Sequence, residues 1–336
     1  MGVVIVAMNK GLKVQSPLEA GGESVSRRWL HRFALATIAL TLFLLVVGAL
    51  VTSNEAGDSV PDWPLSFGRW LIDSQFFTGN IRYEYSHRFI AGCVGFATFI
   101  LALWISFGDE QSWMKKLAWI AFGGVVAQAL LGGVRVLLGE QGKLYISVPH
   151  ALVAQSFFGT LVAIAVFTSK SWTKPISIKS DSVSSPLRRM TAISIAAVLA
   201  QLVLGAGFRH RVFGIIPHVI GAIVVAALIL WTVTLVMRRH GRDPYLRKPA
   251  MALYGLLFAQ LGLGVCAYLA RLASADDPQP LEPMITLTVA HVVTGAMTLA
   301  TLILLTLRCY RVLAPTGERV KEVAEARSSA ARRATA

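Results

Sequence analysis

Eight apolar stretches, each about 20 residues long, limit what this chain can fold into. They run near residues 30–52, 86–107, 115–138, 147–168, 189–208, 213–237, 249–271 and 284–307. Inside a bilayer a stretch of that length satisfies its backbone N–H and C=O groups only as a helix. The expected fold is therefore an all-α integral membrane protein with eight transmembrane helices. Composition agrees. Charged residues make up 15% of the chain and hydrophobic ones 55%, with a mean hydropathy of +0.61, whereas a soluble domain carries roughly 25% charge.

Orientation follows from the cations. If the N-terminus is inside, 24 of the 32 Lys and Arg fall on that side and eight on the other. Positively charged loops stay cytoplasmic, so both termini are expected in the cytoplasm, residues 1–28 as an N-terminal segment and 312–336 as a tail. The net charge of +14 follows from this topology and from attraction to anionic lipid, and needs no nucleic-acid partner. Residues 1–28 lack the pattern of a cleavable signal or a transit peptide, which favours a bacterial plasma membrane.

A repeat runs through the spans. Gln128-Ala-Leu-Leu-Gly132, Gln201-Leu-Val-Leu-Gly205 and Gln260-Leu-Gly-Leu-Gly264 each precede an outer loop and then a histidine, His150, His218 or His291. The first helix keeps a trace, Val47-Gly48, ahead of His87. The chain therefore divides into two tandem, pseudo-symmetric four-helix bundles in the same orientation, residues 29–170 and 188–311.

The four histidines stand at the outer ends of the even-numbered helices, two per bundle. An ionisable group at the edge of a span needs a partner, and neutral imidazole is a standard axial ligand of haem iron. The pattern points to one haem between His87 and His150 and another between His218 and His291, with Gly132, Gly133, Gly205, Gly207 and Gly264 allowing close approach to the backbone. His31, His210 and His240 lie outside the pattern and read as surface residues. Arg88, Arg135, Arg209, Arg211 and Arg271 are placed either to pair with haem propionates or to snorkel at the interface.

The halves differ in one respect. The first outer loop, from Thr52 to Trp70 and beyond, mixes aromatic, Pro and acidic residues, and its length predicts a structured lid. It leads to Glu84, one helical turn before His87, while Ile215 and Thr288 stand at the matching places before His218 and His291. Glu84 could accept a proton or stabilise developing positive charge beside a bound macrocycle, or form a salt bridge to Arg82 or Arg88.

Val60-Pro61-Asp62-Trp63-Pro64-Leu65-Ser66-Phe67-Gly68, Glu84-x-x-His87-Arg88 and single histidines opening the fourth, sixth and eighth helices together resemble the haem A synthase family, CtaA/Cox15, over about Trp29 to Arg311. The resemblance implies that the first bundle, with His87 and His150, takes haem O as substrate. It implies that the second, with His218 and His291, keeps haem b as an electron-transfer cofactor. The implied reaction oxidises the C8 methyl group of haem O to a formyl group by successive hydroxylation, with Glu84, His87 and His150 as the catalytic set and all four histidines as iron ligands. Haem O synthase, an electron acceptor such as a quinone, and further copies of the chain are the partners that go with this reading, beside membrane lipid.

Many family members carry a cysteine pair in the first outer loop, and this loop has none. Cys93, Cys266 and Cys309 have no metal-ligand spacing. The rival readings are a non-enzymatic di-haem b-type cytochrome, which needs neither Glu84 nor the long loop, and a transporter, against which stands the lack of a mid-span acid or Lys. A polyprenyl transferase would need an Asp-rich diphosphate motif, and Asp276-Asp277 is only an adjacent pair.

Overall fold

A computed structural model describes residues 19–108, 111–173, 179–181, 187–273 and 281–315. The tail after Thr316 and most of the last outer loop lie outside the described residues. Eight helices are long and apolar enough to cross a membrane, one for each expected span. They are α1 (Glu19–Ser53), α2 (Ile81–Gly108), α3 (Ser112–Leu137), α4 (Ser147–Thr168), α5 (Leu187–Arg209), α6 (Ile216–His240), α7 (Pro244–Ala273) and α8 (Glu282–Val312). α2 begins about five residues earlier than its apolar stretch, which brings Glu84 onto the helix with His87. α7 also begins early and contains Pro249.

Neighbours in sequence pack side by side. α1, α2, α3 and α4 form a ring in which α1 also touches α4, and α5, α6, α7 and α8 repeat that arrangement, with α5 against α8. The rings meet where α8 packs on α1 and α4 and where α5 packs on α4. This seam has its own apolar core of Phe158, Val162 and Ala296, with Ile38, Leu42, Leu45, Ala300 and Ile303 packed around it. Ile303 reaches Gly159, where a Cβ would meet its Cδ1 at 2.7 Å. α4 is accordingly the most buried helix, with half of its apolar window enclosed, and each ring has a larger core of its own.

At one end the connections are fastened to the helix ends. Residues Lys179–Asp181 and Leu313–Pro315 pair as two short parallel strands, a small addition to the all-helical expectation. Lys179 Nζ donates to Asp243 at 2.8 Å, Arg308 to the Tyr245 carbonyl at 2.8 Å and Arg27 to the Phe167 carbonyl at 3.2 Å. His31 Nδ1 lies 3.2 Å from the Thr168 hydroxyl, so it is a packed, half-buried residue and not a free surface one.

Candidate functional site

At the opposite end the first outer loop folds into a roof. Ala56 and Val60 are fully buried, and Glu55, Phe67 and Gly68 take left-handed backbone angles that turn the chain. Asp62 pins its tip by accepting the N–H groups of Phe67 and Gly68, both at 2.7 Å. Burial works against ionisation of Asp62, but the N–H groups of Gly68 and Phe67, its own amide and the Arg88 charge outweigh it and hold the carboxyl below its ordinary value of 3.8. A depressed folded-state value gives stability that is present above 3.8 and lost as pH falls through the folded value. Amide exchange at Phe67 and Gly68, corrected for its intrinsic pH dependence, is therefore expected to stay protected down to pH 3.8 and to accelerate only below it.

Glu84 and Arg88 fasten the roof to α2. They lie one turn apart on one helix face, and Arg88 Nη2 donates to Glu84 Oε1 at 2.6 Å. The other carboxylate oxygen accepts the Val60 N–H at 2.9 Å. Arg88 donates further to the carbonyls of Val60, Asp62 and Leu65, at 2.8, 2.6 and 3.1 Å. Of the two arginines open to Glu84 in the sequence, the structure selects Arg88; Arg82 turns to the Tyr83 hydroxyl. Glu84 is 3% exposed, and its charge is met by one guanidinium and one backbone N–H.

α3 supports the far side of the roof. Arg135 donates to the Gly57 carbonyl and pairs with Asp58 at 3.4 Å, and Lys143 reaches Asp58 at 2.6 Å. The Trp63 ring presses on Gly133, where any Cβ would overlap it. The neighbouring residue, Gly132, faces His150, so this loop, α3 and the histidine of α4 share one corner.

The four histidines are seated alike. Each imidazole lies against a glycine of the preceding helix, and a Cβ there would meet its Cε1. That contact would be 3.0 Å for Gly48 and His87, 3.5 Å for Gly132 and His150, and 2.9 Å for both Gly205 with His218 and Gly264 with His291. Gly48, with no glutamine four residues before it, was the weakest element of the sequence repeat, yet it makes the same contact as the others. All four rings are half-buried. The centroids of His218 and His291 are 6.3 Å apart, room for one metal ion between imidazole nitrogens at about 2 Å. His291 Nδ1 donates to the Gln260 carbonyl at 3.1 Å, which puts the lone pair a metal requires on Nε2, where it now accepts from Gln260 Nε2 at 3.2 Å. In the first ring the buried Nδ1 atoms of His87 and His150 have no hydrogen-bond partner. Both pairs fit a haem iron in donor type.

His210 departs from its surface reading. It is half-buried beside the seam, and burial, then the charges of Arg209, Arg135 and His150, push its pKa down to about 4. It was missed because nothing in Arg209-His210-Arg211 shows that the second ring carries it to the histidine of the first. Arg209 crosses the same seam, donating to the buried Ser53 hydroxyl at 3.1 Å. Arg271 lies over the Phe208 ring at 5.3 Å. Four of the five arginines open to propionates thus engage protein groups: Arg88 and Arg135 the roof, Arg209 the seam and Arg271 an aromatic ring. Cys93, Cys266 and Cys309 form no disulfide.

The fold and these residues define a class: a multi-pass membrane protein in which each four-helix ring carries one histidine pair and one ring is roofed. Residues 31–216 match the COX15-CtaA family, described as cytochrome oxidase assembly protein, and the chain belongs to that family. Among similar curated proteins, the haem A synthase of Geobacillus kaustophilus is 38% identical over 117 residues, 34% of this chain and 36% of that protein. That of Geobacillus thermodenitrificans is 30% identical over 159 residues, 46% and 49% of the two chains. That of Exiguobacterium sibiricum is 26% identical over 186 residues, 54% and 60%. The chain thus matches between about a third and three fifths of these relatives' lengths.

Proposed function

We propose that this protein is a haem A synthase, oxidising the C8 methyl group of haem O to a formyl group by successive hydroxylation. The observation that carries the reading is the asymmetry between two otherwise matching histidine pairs. Both have glycine sockets, but only the pair of His87 and His150 has a folded roof and a buried carboxylate, Glu84, on the histidine's own helix. The reacting macrocycle would be held under the roof by His87 and His150. A resident haem b would be held between His218 and His291, where it would supply electron transfer. The relatives from Geobacillus and Exiguobacterium carry the same activity in their names.

In this reading residues 29–170 are the substrate bundle and 188–311 the cofactor bundle, related by a pseudo-twofold axis along the membrane normal. The roof and both histidine pairs lie on the extracytoplasmic side of a bacterial plasma membrane, and the termini are cytoplasmic by the distribution of Lys and Arg. The roof limits water at the first site, and Glu84, paired with Arg88, stands beside it, placed to favour positive charge or accept a proton.

The test is expression in a host that makes haem O but not haem A, followed by extraction and chromatographic identification of membrane haems. Haem A or its hydroxylated precursor, appearing only with the protein, is the expected result. Haem b bound with unchanged haem O would overturn the synthase reading and favour an electron carrier.

A further inference from the structure

A groove opens on the outer surface between α6 and α7, close to the turn that joins them. It measures about 360 Å³ and is lined by Val233, Thr234, Met237 and Arg238 of α6 and by Met251 and Tyr254 of α7. Residues three and four apart share a helix face, so Thr234, Met237 and Arg238 form one wall, and Met251 and Tyr254 the other. Arg247, one turn before Met251, extends the second wall toward the turn. One turn further from the turn, on the same faces, come Trp231 and Phe258, 59% and 51% exposed. The Phe258 ring packs on Tyr254 with centroids 4.8 Å apart. The groove is therefore charged at one end and apolar along its length.

The charge at its mouth is unbalanced. Residues 238–248 carry Arg238, Arg239, Arg242, Arg247 and Lys248 against a single acid, Asp243, which already accepts from Lys179 at 2.8 Å. Arg238 and Arg247 are exposed, and among the described residues neither guanidinium has a hydrogen-bond or ion-pair partner. Other arginines at this end are engaged: Arg27 holds the Phe167 carbonyl, Arg308 the Tyr245 carbonyl, and Arg311 lies over Trp172. The hydroxyls of Thr234 and Tyr254 also lack a partner among the described residues, whereas Thr298 and Thr306 donate to the carbonyl four residues back.

Two uncommitted guanidiniums above an apolar groove suit an anion that carries a chain. A soluble phosphate would meet the arginines and gain nothing from Val233, Met237 and Met251. A neutral lipid would fill the groove and leave the charges unmet. Basic pockets between membrane helices on the cytoplasmic side bind anionic lipid headgroups, and this is the end that the distribution of Lys and Arg assigns to the cytoplasm. We propose that the groove between α6 and α7 is a binding site for one anionic phospholipid. Arg238 and Arg247 hold its phosphate, Thr234 and Tyr254 donate to its ester oxygens, and an acyl chain lies over Met251 toward Phe258. The site needs only a chain that spans a bilayer and is independent of how the histidines are used.

The experiment titrates the full chain, purified and delipidated in detergent, with phosphatidylglycerol or with phosphatidylcholine of the same chains, and counts bound lipids by native mass spectrometry. One phosphatidylglycerol is expected to bind more tightly than any further copy and than phosphatidylcholine. Arg238→Gln and Arg247→Gln are each expected to weaken that first binding about fivefold, the worth of one cation near an anionic surface. Met251→Trp, which fills the groove and removes no charge, is expected to weaken it as well. Arg28→Gln, which removes another exposed cation at the same end, is expected to leave it unchanged. Equal binding of the two lipids, an equal loss in Arg28→Gln, or full competition by glycerophosphoglycerol, the headgroup without its chains, would overturn the proposal. A dimer that Met251→Trp abolishes would place a second copy of the chain on this face and overturn it too.

Discussion

Replacing Glu84 by alanine is expected to abolish haem A formation, by at least about 100-fold, while the haem between His218 and His291 stays bound. It is also expected to destabilise the protein by about 3 kcal/mol, the lower end for breaking a buried ion pair, because Arg88 keeps 16% of its side chain exposed. The carboxylate does two jobs that alanine removes together. One oxygen receives the N–H of Val60, a residue with no exposed surface, and without it that donor is buried and unpaired. The other neutralises Arg88, which would still hold three roof carbonyls but with no counter-charge. Glu84→Gln separates the roles, since its amide oxygen can still accept the Val60 N–H while the charge is gone. Product loss in the glutamine variant with thermal stability near wild type places Glu84 in the chemistry. Full product formation by the glutamine variant would make it a fastening of the roof alone. Thermal unfolding in detergent and quantified haem extracts read the two effects independently.

The second large effect is expected at the other pair. His218→Ala or His291→Ala should lower haem affinity of the second ring by more than about 100-fold, since losing a direct ligand exceeds the 10–100-fold cost of losing a ligand's partner. Haem content after purification, read with the spectrum of the bound haem, measures this. Haem A formation should fall with it, because the cofactor is gone although the roofed site is intact. His87→Ala and His150→Ala should do the converse, keeping the second-ring haem and losing product. Equal haem content in all four variants would remove these histidines from haem binding.

Much of this protein could be read from the chain itself. The eight spans follow from hydrophobic length, because a bilayer leaves the backbone no alternative to helix. The histidine pattern and its glycines at fixed spacing follow too, since a helix converts spacing directly into a shared face. Even Gly48, with only Val47 beside it to mark the repeat, is seated against His87 as the stronger copies predict. Span ends were less legible: α2 starts at Ile81 and carries Glu84 to the Val60 N–H of the roof, which hydropathy does not register.

Only the tertiary structure decided who meets whom across distance. Arg82 and Arg88 are equal candidates for Glu84 in sequence, and the choice falls on Arg88 because Val60, Asp62 and Leu65 bring their carbonyls to it from more than twenty residues away. Arg88, Arg135 and Arg209 looked equally open to a ligand, yet roof and seam claim them. His210 looked exposed, yet it is half-buried at the end of α5. Gln128, Gln201 and Gln260 share one motif, yet the amides of Gln201 and Gln260 reach the imidazoles of His218 and His291, which the motif alone does not tell. Local spacing fixes the face a residue occupies; what stands opposite depends on how helices far apart in sequence pack, and no local pattern encodes that.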